Sequence, residues 1–500
     1  MVLNMLFNSL EFLVFFPIII LIYFILPKKV RYIWLLAASY FFYMCWNAKY
    51  AILLFFSTLV TYLTSIGLEE IKNKNWDVQR IIKCKKFFVS ISLLLNLSVL
   101  FVFKYMDFIF SYVERFFEII HIDINMPAFD FILPVGISFY TFQAIGYTID
   151  VYRDEIRAEK NFLRYALFIS FFPQLVAGPI ERSKNLLLQL EEDKILKKEN
   201  VRVGILYILW GLFLKMTIAD RAAIIVNTVY DNPQQYPGFY IVVATIMFAF
   251  QIYCDFYGYS IIAKGSALIL DIHLMDNFNA PYLARSVKEF WKRWHISLSS
   301  WFRDYLYIPL GGNRKGFLRK EANLLCVFGI SGLWHGAAWG YVAWGLLNGG
   351  YQVISNLFSR YFGHKPSAKI EECSASTVCR QRLTTFSLVC FAWIFFRAAD
   401  ISKAISVIKN MFCFNWYILF DGTLFTLGVR EEIFLLLCVF IGVLLIVDHM
   451  KYKGISVIEK VMEQELWAKI LIYVTLFFII VMFGCYGVEY DTNQFIYFQF

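Results

Sequence analysis

Eight long apolar runs set the terms on which this chain can fold: Phe12–Leu26, Ile33–Trp46, Ala51–Leu68, Phe87–Phe103, Val203–Phe213, Ile241–Phe250, Ile433–Val447 and Ile470–Cys485. A bilayer core requires about 20 mostly apolar residues per helix, with about 17 as a minimum. Most of the runs reach that length once their flanking residues are counted. The chain is 59% hydrophobic and 17% charged, against about 45–50% and about 25% for soluble domains. The pattern predicts an all-α, polytopic membrane protein with roughly eleven to thirteen transmembrane or re-entrant helices. The 53 Phe fit lipid-facing helices and interfacial belts. The first run has no basic stretch before it and no small-residue cleavage site after it, so it reads as a retained span rather than a secretory signal.

The net charge is +9, but the cations fall between the apolar runs. Lys28, Lys29 and Arg31 follow the first span; Lys72, Lys74, Arg80, Lys83, Lys85 and Lys86 follow the third. The positive-inside rule puts both groups in the cytoplasm and the N-terminus outside. The stretch Asp107–Asp130 holds His121, Asp123 and several acids, with Arg115 its only basic residue, and reads as an outer loop. Nucleic acid is a poor partner for such a distribution. The ten Cys include no C-x-x-C pair; most lie in apolar runs, where Cys acts as a small hydrophobe. The closest loop pair, Cys373 and Cys379, has no metal-site spacing, so neither a disulfide nor a metal is assigned.

The chain reads as one integral-membrane domain (residues 1–500), with plain N-terminal spans (1–130), a distinctive core (131–350) and C-terminal spans (351–500). The most polar stretches are Phe362–Arg382 and Glu181–Arg202. Within the core, Leu133–Arg153 is apolar yet carries Ser138, Thr141, Gln143, Thr148 and Asp150, and Ser170–Arg182 contains Pro173 and Pro179. Proline breaks a helix interior, and broken helices at membrane depth require burial in protein or a watery cavity. Both pieces therefore predict a non-lipid interior. In Tyr282–Asn313, charges forbid a simple span, while Phe290, Trp291, Trp294, Leu298, Trp301 and Leu306 can share one helical face. That predicts an amphipathic helix at the interface or under the bundle.

His335 stands in GISGLWHGAAWGYVAWG (Gly329–Gly345), a stretch without charge. A titratable group inside a membrane is expensive unless it has a task or lines a wet cavity, and histidine is the natural general base near neutral pH. His295 lies on the charged amphipathic segment, forty positions earlier. The bland readings are a histidine that only bonds between helices, a Trp stripe (Trp291, Trp294, Trp301, Trp334, Trp339, Trp344) that forms an interface belt, a solvated Arg303–Asp304 pair, and Asp255 as a buried cap or ion-pair partner. No nucleophile elbow, P-loop or H-E-x-x-H motif is present.

The segments KEFWKRWHISLSSWFRDYLYIPLGGN and GLWHGAAWGYVAWG resemble the membrane-bound O-acyltransferase superfamily, most closely its bacterial branch acting on alginate and other polysaccharides. PVGISFYTFQAIGYTIDVYR, FFPQLVAGPIER, QIYCDFYGYS, NFNAPYLARS, WIFFRA (Trp393–Ala398) and the terminal FIYFQF follow in order through most of the chain. The resemblance implies a ring of helices around a thin centre, with funnels from both faces meeting near His335, and His295 as the second catalytic position. Ile261, Lys264 and Tyr257 depart from the family's usual residues, which leaves the role of that segment open.

These readings imply transfer of an acyl group, acetyl by resemblance, from a cytoplasmic thioester donor (acetyl-CoA or an acyl carrier protein) to a hydroxyl of an extracellular or cell-envelope polysaccharide. No bound cofactor or metal is implied. His335 would act as base, with His295 orienting the donor or assisting the departing thiolate. Trp334 and Trp291 would wall the passage, and Lys292, Arg293 and Arg303 would meet an anionic donor; Asp304 and Asn313 complete the candidate substrate contacts. The scheme requires His335 in a hydrated passage open to both aqueous compartments. The resemblance places the chain in a bacterial cytoplasmic membrane, with an extracytoplasmic esterase-like partner. D-alanyl transfer to teichoic acid, a transporter and a non-catalytic scaffold remain as alternatives.

Overall fold

A computed structural model of the chain describes residues 5–124, 134–176, 178–363, 374–413 and 415–486. Among these residues the regular structure is helical throughout. The terminal FIYFQF, Cys373 and much of the polar stretch after Phe362 lie outside the described residues. Two compact units are present: Met1–Ile208 with Ser260–Met275, and Leu209–Tyr259 with Asp276–Phe500.

The first unit begins with helices α1 (Leu10–Ile25), α2 (Arg31–Asn47), α3 (Ala51–Lys72) and α4 (Val78–Ile119). The first four apolar runs are therefore all helical. Helix α4 continues well past its apolar run, and at about 1.5 Å per residue it is roughly 60 Å long. Asp107 and Arg115 consequently lie on a helix, not in the expected outer loop, and Arg80–Lys86 occupy its first turns. Helices α5 (Ile137–Tyr152), α6 (Phe162–Ser170), α7 (Phe172–Leu175) and α8 (Ser183–Glu191) follow.

Gln143 and Asp150, two of the polar residues singled out in this region, are hydrogen-bonded inside the unit. Gln143 donates to the Phe168 carbonyl at 2.7 Å, and Ser183 Oγ donates to Asp150 at 2.8 Å. Almost every residue of α5 is buried, as expected of a helix that does not face lipid. Helix α6 stops at Ser170, and Pro173 enters the first turn of the next short helix. There its missing N–H costs nothing, because first-turn N–H groups have no intrahelical partner.

Helix α9 (Lys198–Phe213) passes through a π-helical turn, Leu214–Ala219, into α10 (Asp220–Asp231). The second unit takes in that turn and most of α11 (Phe239–Ile269). It then contains α12 (Val287–Arg293), α13 (Ile296–Phe302), α14 (Phe317–His335), α15 (Trp339–Phe362), α16 (Ala375–Ala398), α17 (Ile401–Met411), α18 (Glu431–Tyr452), α19 (Val457–Met462) and α20 (Leu466–Phe483). The remaining four apolar runs thus also fold as helices. Among the described residues, and by length and composition alone, six helical stretches suffice to cross a membrane, at Lys28–Lys72, Val78–Ile119, Lys198–Asp231, Phe239–Ile269, Glu431–Tyr452 and Leu466–Phe483. The first contains both α2 and α3, and α1 is a shorter apolar helix.

Asp255, on α11, is an ion-pair partner: Lys215 Nζ lies 2.7 Å from its carboxylate and 2.7 Å from that of Asp220. Lys215 and Asp255 are both almost fully buried. A buried ammonium is tolerated when it is paired in this way, and its pairing draws the π-helical turn to α11.

Candidate active site

Within Tyr282–Asn313, the stretch expected as one amphipathic helix before IPLGGN turns the chain begins as two short helices with a break between them. Ser286 caps α12 by accepting from the Glu289 N–H, and α12 ends at Arg293. His295 then adopts left-handed backbone angles, φ 43° and ψ 56°, at the start of α13. A non-glycine residue held there is strained by about 1–3 kcal/mol, so the surrounding bonds must hold it. They do: Asn279 N–H donates to the Arg293 carbonyl at 2.9 Å, and Ile296 N–H donates to the Asn277 carbonyl at 2.9 Å. Ser297 gives both its N–H and its hydroxyl to Asn277 Oδ1, at 3.3 and 2.6 Å. The break turns His295 inward, where it is 1% exposed.

His335 is the last residue of α14, before the chain turns through Gly336 into α15. Close approach of α14 and α15 depends on glycine. A Cβ on Gly332 would lie 2.3 Å from the Tyr341 carbonyl oxygen, and one on Gly345 would lie 2.2 Å from that of Phe328. Small residues of this kind let helix backbones meet in membranes.

The two imidazoles pack against the same indole. Trp334 lies 4.9 Å from His335 and 6.1 Å from His295, centroid to centroid. His335 also meets Trp344 edge-on at 5.0 Å and Phe396 at 5.3 Å, while His295 meets Phe256 at 4.6 Å. Trp393 stacks on Trp344 at 5.5 Å and packs against Trp294 at 5.2 Å. The Trp stripe is therefore largely an internal cluster and not an interface belt. Trp294, Trp301, Trp334 and Trp344 are buried, Trp291 is half-buried, and Trp339 is 49% exposed.

Sequence alone did not assign Trp393, Phe396, Asn277 or Ser297. The available signals were the WIFFRA, NFNAPYL and WHIS strings that contain them.

A cavity of about 340 Å³ opens beside this cluster, lined by Trp291, Lys292, Ile296, Arg303, Phe328 and Ser331 among others. Ile296 adjoins His295 in sequence. Ser331 sits one helical turn before His335, on the same face of α14. Lys288 and Lys292 extend from this cavity into a neighbouring one of about 500 Å³, also lined by Arg285.

The candidate residues divide accordingly. Trp291, Lys292 and Arg303 line the cavity, and Trp334 joins the histidines. Arg293 turns away to Glu289 at 2.9 Å and the Asn279 carbonyl at 3.0 Å, lying over the Tyr452 ring. Asp304 pairs with Arg303 at 2.8 Å, and Asn313 accepts from the Tyr307 hydroxyl at 2.5 Å. His335 is 4% exposed, and Ser331, Phe328 and Trp291 line the cavity nearest to it in sequence and packing. Burial also pushes the His295 imidazole down, to about 3, which keeps it neutral at ordinary pH.

Residues 30–369 match the model of the membrane-bound O-acyltransferase family. Among its relatives, a peptidoglycan O-acetyltransferase of Helicobacter pylori is 34% identical, over 82% of this chain and 80% of that protein. A protein of Azotobacter vinelandii named "Probable alginate O-acetylase AlgI" is 33% identical, over 83% of this chain and 80% of its own length. A teichoic acid D-alanyltransferase of Bacillus subtilis is 28% identical, over 54% of this chain and 70% of that protein. With its apolar helices and its paired histidines already in view, the chain belongs to the membrane-bound O-acyltransferase family and is a multi-pass membrane enzyme of O-acyl transfer.

Proposed function

We propose that this enzyme moves an acetyl group from a thioester donor at the cytoplasmic face of a bacterial cell membrane to a hydroxyl of a cell-envelope polysaccharide. The observation that carries the reading is two buried imidazoles on one indole, beside a cavity bearing Lys288, Lys292 and Arg303. The names of the peptidoglycan and alginate relatives support acetyl as the group and a glycan as the acceptor.

In this scheme the donor, acetyl-CoA or an acetylated carrier protein, lays its anionic part against the three cations. The acceptor hydroxyl gives its proton to His335 as its oxygen attacks the thioester carbonyl. A C–O bond forms, the C–S bond breaks, and the sulfur leaves as thiolate to be reprotonated. No serine acyl-enzyme is needed, because a thioester is already activated. A general base contributes roughly 10²–10⁴-fold, so positioning supplies much of the remainder. In this scheme the acyl group reaches His335 past Trp291, Trp344 and Phe328. These rings touch one another at 5.3 Å (Trp291–Phe328) and 5.6 Å (Trp291–Trp344). The N-terminus faces outside, and an extracytoplasmic esterase-like partner either receives the acetyl group or shares the acceptor.

The test uses purified enzyme in lipid nanodiscs, with labelled acetyl donor and glycan fragments. His335→Ala is expected to lose roughly 10²–10⁴-fold in kcat. Transfer at the wild-type rate by His335→Ala overturns the assignment. Transfer of D-alanine but not acetyl redirects the reading to teichoic acid, and solute flux in liposomes without any acyl transfer replaces it with transport.

A further inference from the structure

The hydrogen-bond pattern around His295 fixes more than its position. Ser297 directs two groups at one atom of Asn277, its backbone N–H at 3.3 Å and its hydroxyl at 2.6 Å. A backbone N–H can only donate, so the Asn277 atom is its carbonyl oxygen, and the side-chain amide orientation follows. A carbonyl oxygen can only accept, so the Ser297 hydroxyl spends its single hydrogen on Asn277. What the Ser297 oxygen has left is lone pairs. His295 Nδ1 faces that oxygen at 3.5 Å, and two lone pairs would repel there. Nδ1 therefore carries the hydrogen, and in a neutral ring Nε2 is then a bare acceptor. All three side chains are buried: His295 at 1% exposure, Ser297 at 0% and Asn277 at 3%.

We propose that Asn277 and Ser297 are positioning residues that lock His295 as the Nδ1–H tautomer, making it a hydrogen-bond acceptor in acyl transfer and not the acid that protonates the leaving thiolate. This rests on the function proposed above and changes one step of it. The hydroxyl proton passes to His335 as the C–O bond forms. When the C–S bond breaks, that same proton returns from the His335 imidazolium to the sulfur. Proton and charge balance on one ring, and His295 stays neutral throughout. The dipeptide break at Trp294–His295 has the same origin. Asn277 holds Ile296 by its carbonyl and Ser297 by its side chain, so the residue that sets the tautomer also sets the left-handed backbone that carries the ring.

Two measurements test this independently. The first is ¹⁵N solid-state NMR of histidine-labelled enzyme in lipid, with His295 assigned by its loss in His295→Gln. The expected signature is a protonated Nδ1 and an unprotonated Nε2 at pH 7; a protonated Nε2 overturns the inference whether or not the enzyme transfers acetyl groups. The second is kinetic. Ser297→Ala is expected to lose on the order of 10- to 100-fold in kcat with the donor KM little changed, and Ser297→Thr, which keeps the hydroxyl, to recover most of it. In Ser297→Ala the His295 signal should become a mixture of tautomers. A folded Ser297→Ala with wild-type kcat and an unchanged tautomer overturns the proposal. Absence of acyl transfer in the unmutated protein, with the tautomer as expected, would fault the proposed function and leave the tautomer assignment standing.

Discussion

Gly332→Ala should disable the enzyme through geometry alone. The added Cβ would fall 2.3 Å from the Tyr341 carbonyl oxygen, 2.9 Å from its carbon and 3.1 Å from Val342 Cα. All three are backbone atoms and cannot rotate aside. Ordinary contact begins at 3.4 Å, so the end of α14 must retreat from α15 by roughly 1 Å. His335 sits three residues farther along the same turn, so its ring moves with that retreat, away from Trp344 and the cavity wall. A misplacement of about 1 Å costs on the order of 10²-fold in rate. The stability effect is smaller: overpacking costs about 1–3 kcal/mol, and replacing a helical Gly with Ala returns about 1. The prediction is thus a loss in kcat far larger than the loss in thermal stability. Gly350→Ala is the control, since nothing lies within 4 Å of its Cβ, and Gly329→Ala meets only the Leu346 side chain at 3.5 Å. Both should keep full activity. Acetyl transfer and melting temperature of the three variants in detergent make the comparison. A folded Gly332→Ala within about threefold of wild-type kcat refutes this prediction, because a rigid 1 Å displacement cannot leave the proposed base in place.

Other outcomes follow from the same geometry. Replacing Lys288 and Lys292 together by Ala should raise the donor KM on the order of tenfold with little change in kcat, as loss of charge complementarity to an anionic donor predicts; an unchanged KM would remove the cations from donor binding. Lys215→Met leaves the Asp255 and Asp220 carboxylates facing each other in the interior and should cost about 3–5 kcal/mol, with Lys215→Met plus Asp255→Asn recovering part of it; melting temperatures decide. Acid sensitivity should trace to His295. The unfolded imidazole takes a proton below its ordinary value of 6.5, while the folded one, lowered by burial to about 3, does not. Stability from this group is therefore whole above pH 6.5 and drains away as pH falls towards 3. The melting temperature of the wild type should drop more steeply than that of His295→Gln between pH 6.5 and 4.5, and parallel curves would count against a neutral buried ring.

The helices were legible in the sequence, and both histidines stood out there as candidates, because each depends on local signals. Apolar run length reports a membrane helix directly, and an ionisable ring in an uncharged run stands out against its surroundings. Two features had no local signal. One was the break at His295. The charge and aromatic spacing across Tyr282–Asn313 favours a single amphipathic helix, and what overrides it is Asn277, almost twenty positions upstream, bonding both Ile296 and Ser297. Periodicity within a segment cannot register a clamp that comes from outside it. The other was the fate of the tryptophans. Spacing places Trp291, Trp294 and Trp301 on one face, but whether that face meets lipid or protein depends on residues far along the chain, such as Trp344 against Trp291 and Trp393 of α16 against Trp294. Their arrival turns an expected belt into an internal aromatic cluster, against which His335 also packs. The burial of His335 bears on the proposed acyl transfer. In the proposed scheme, a thioester beside an imidazole in open water would be exposed to hydrolysis, and the packing of His335 against Trp334, Trp344 and Phe396 limits the water around it. In the proposed function, the buried His335 and the cavity lined by Lys288, Lys292 and Arg303, which reaches Ser331 one helical turn away, serve one reaction.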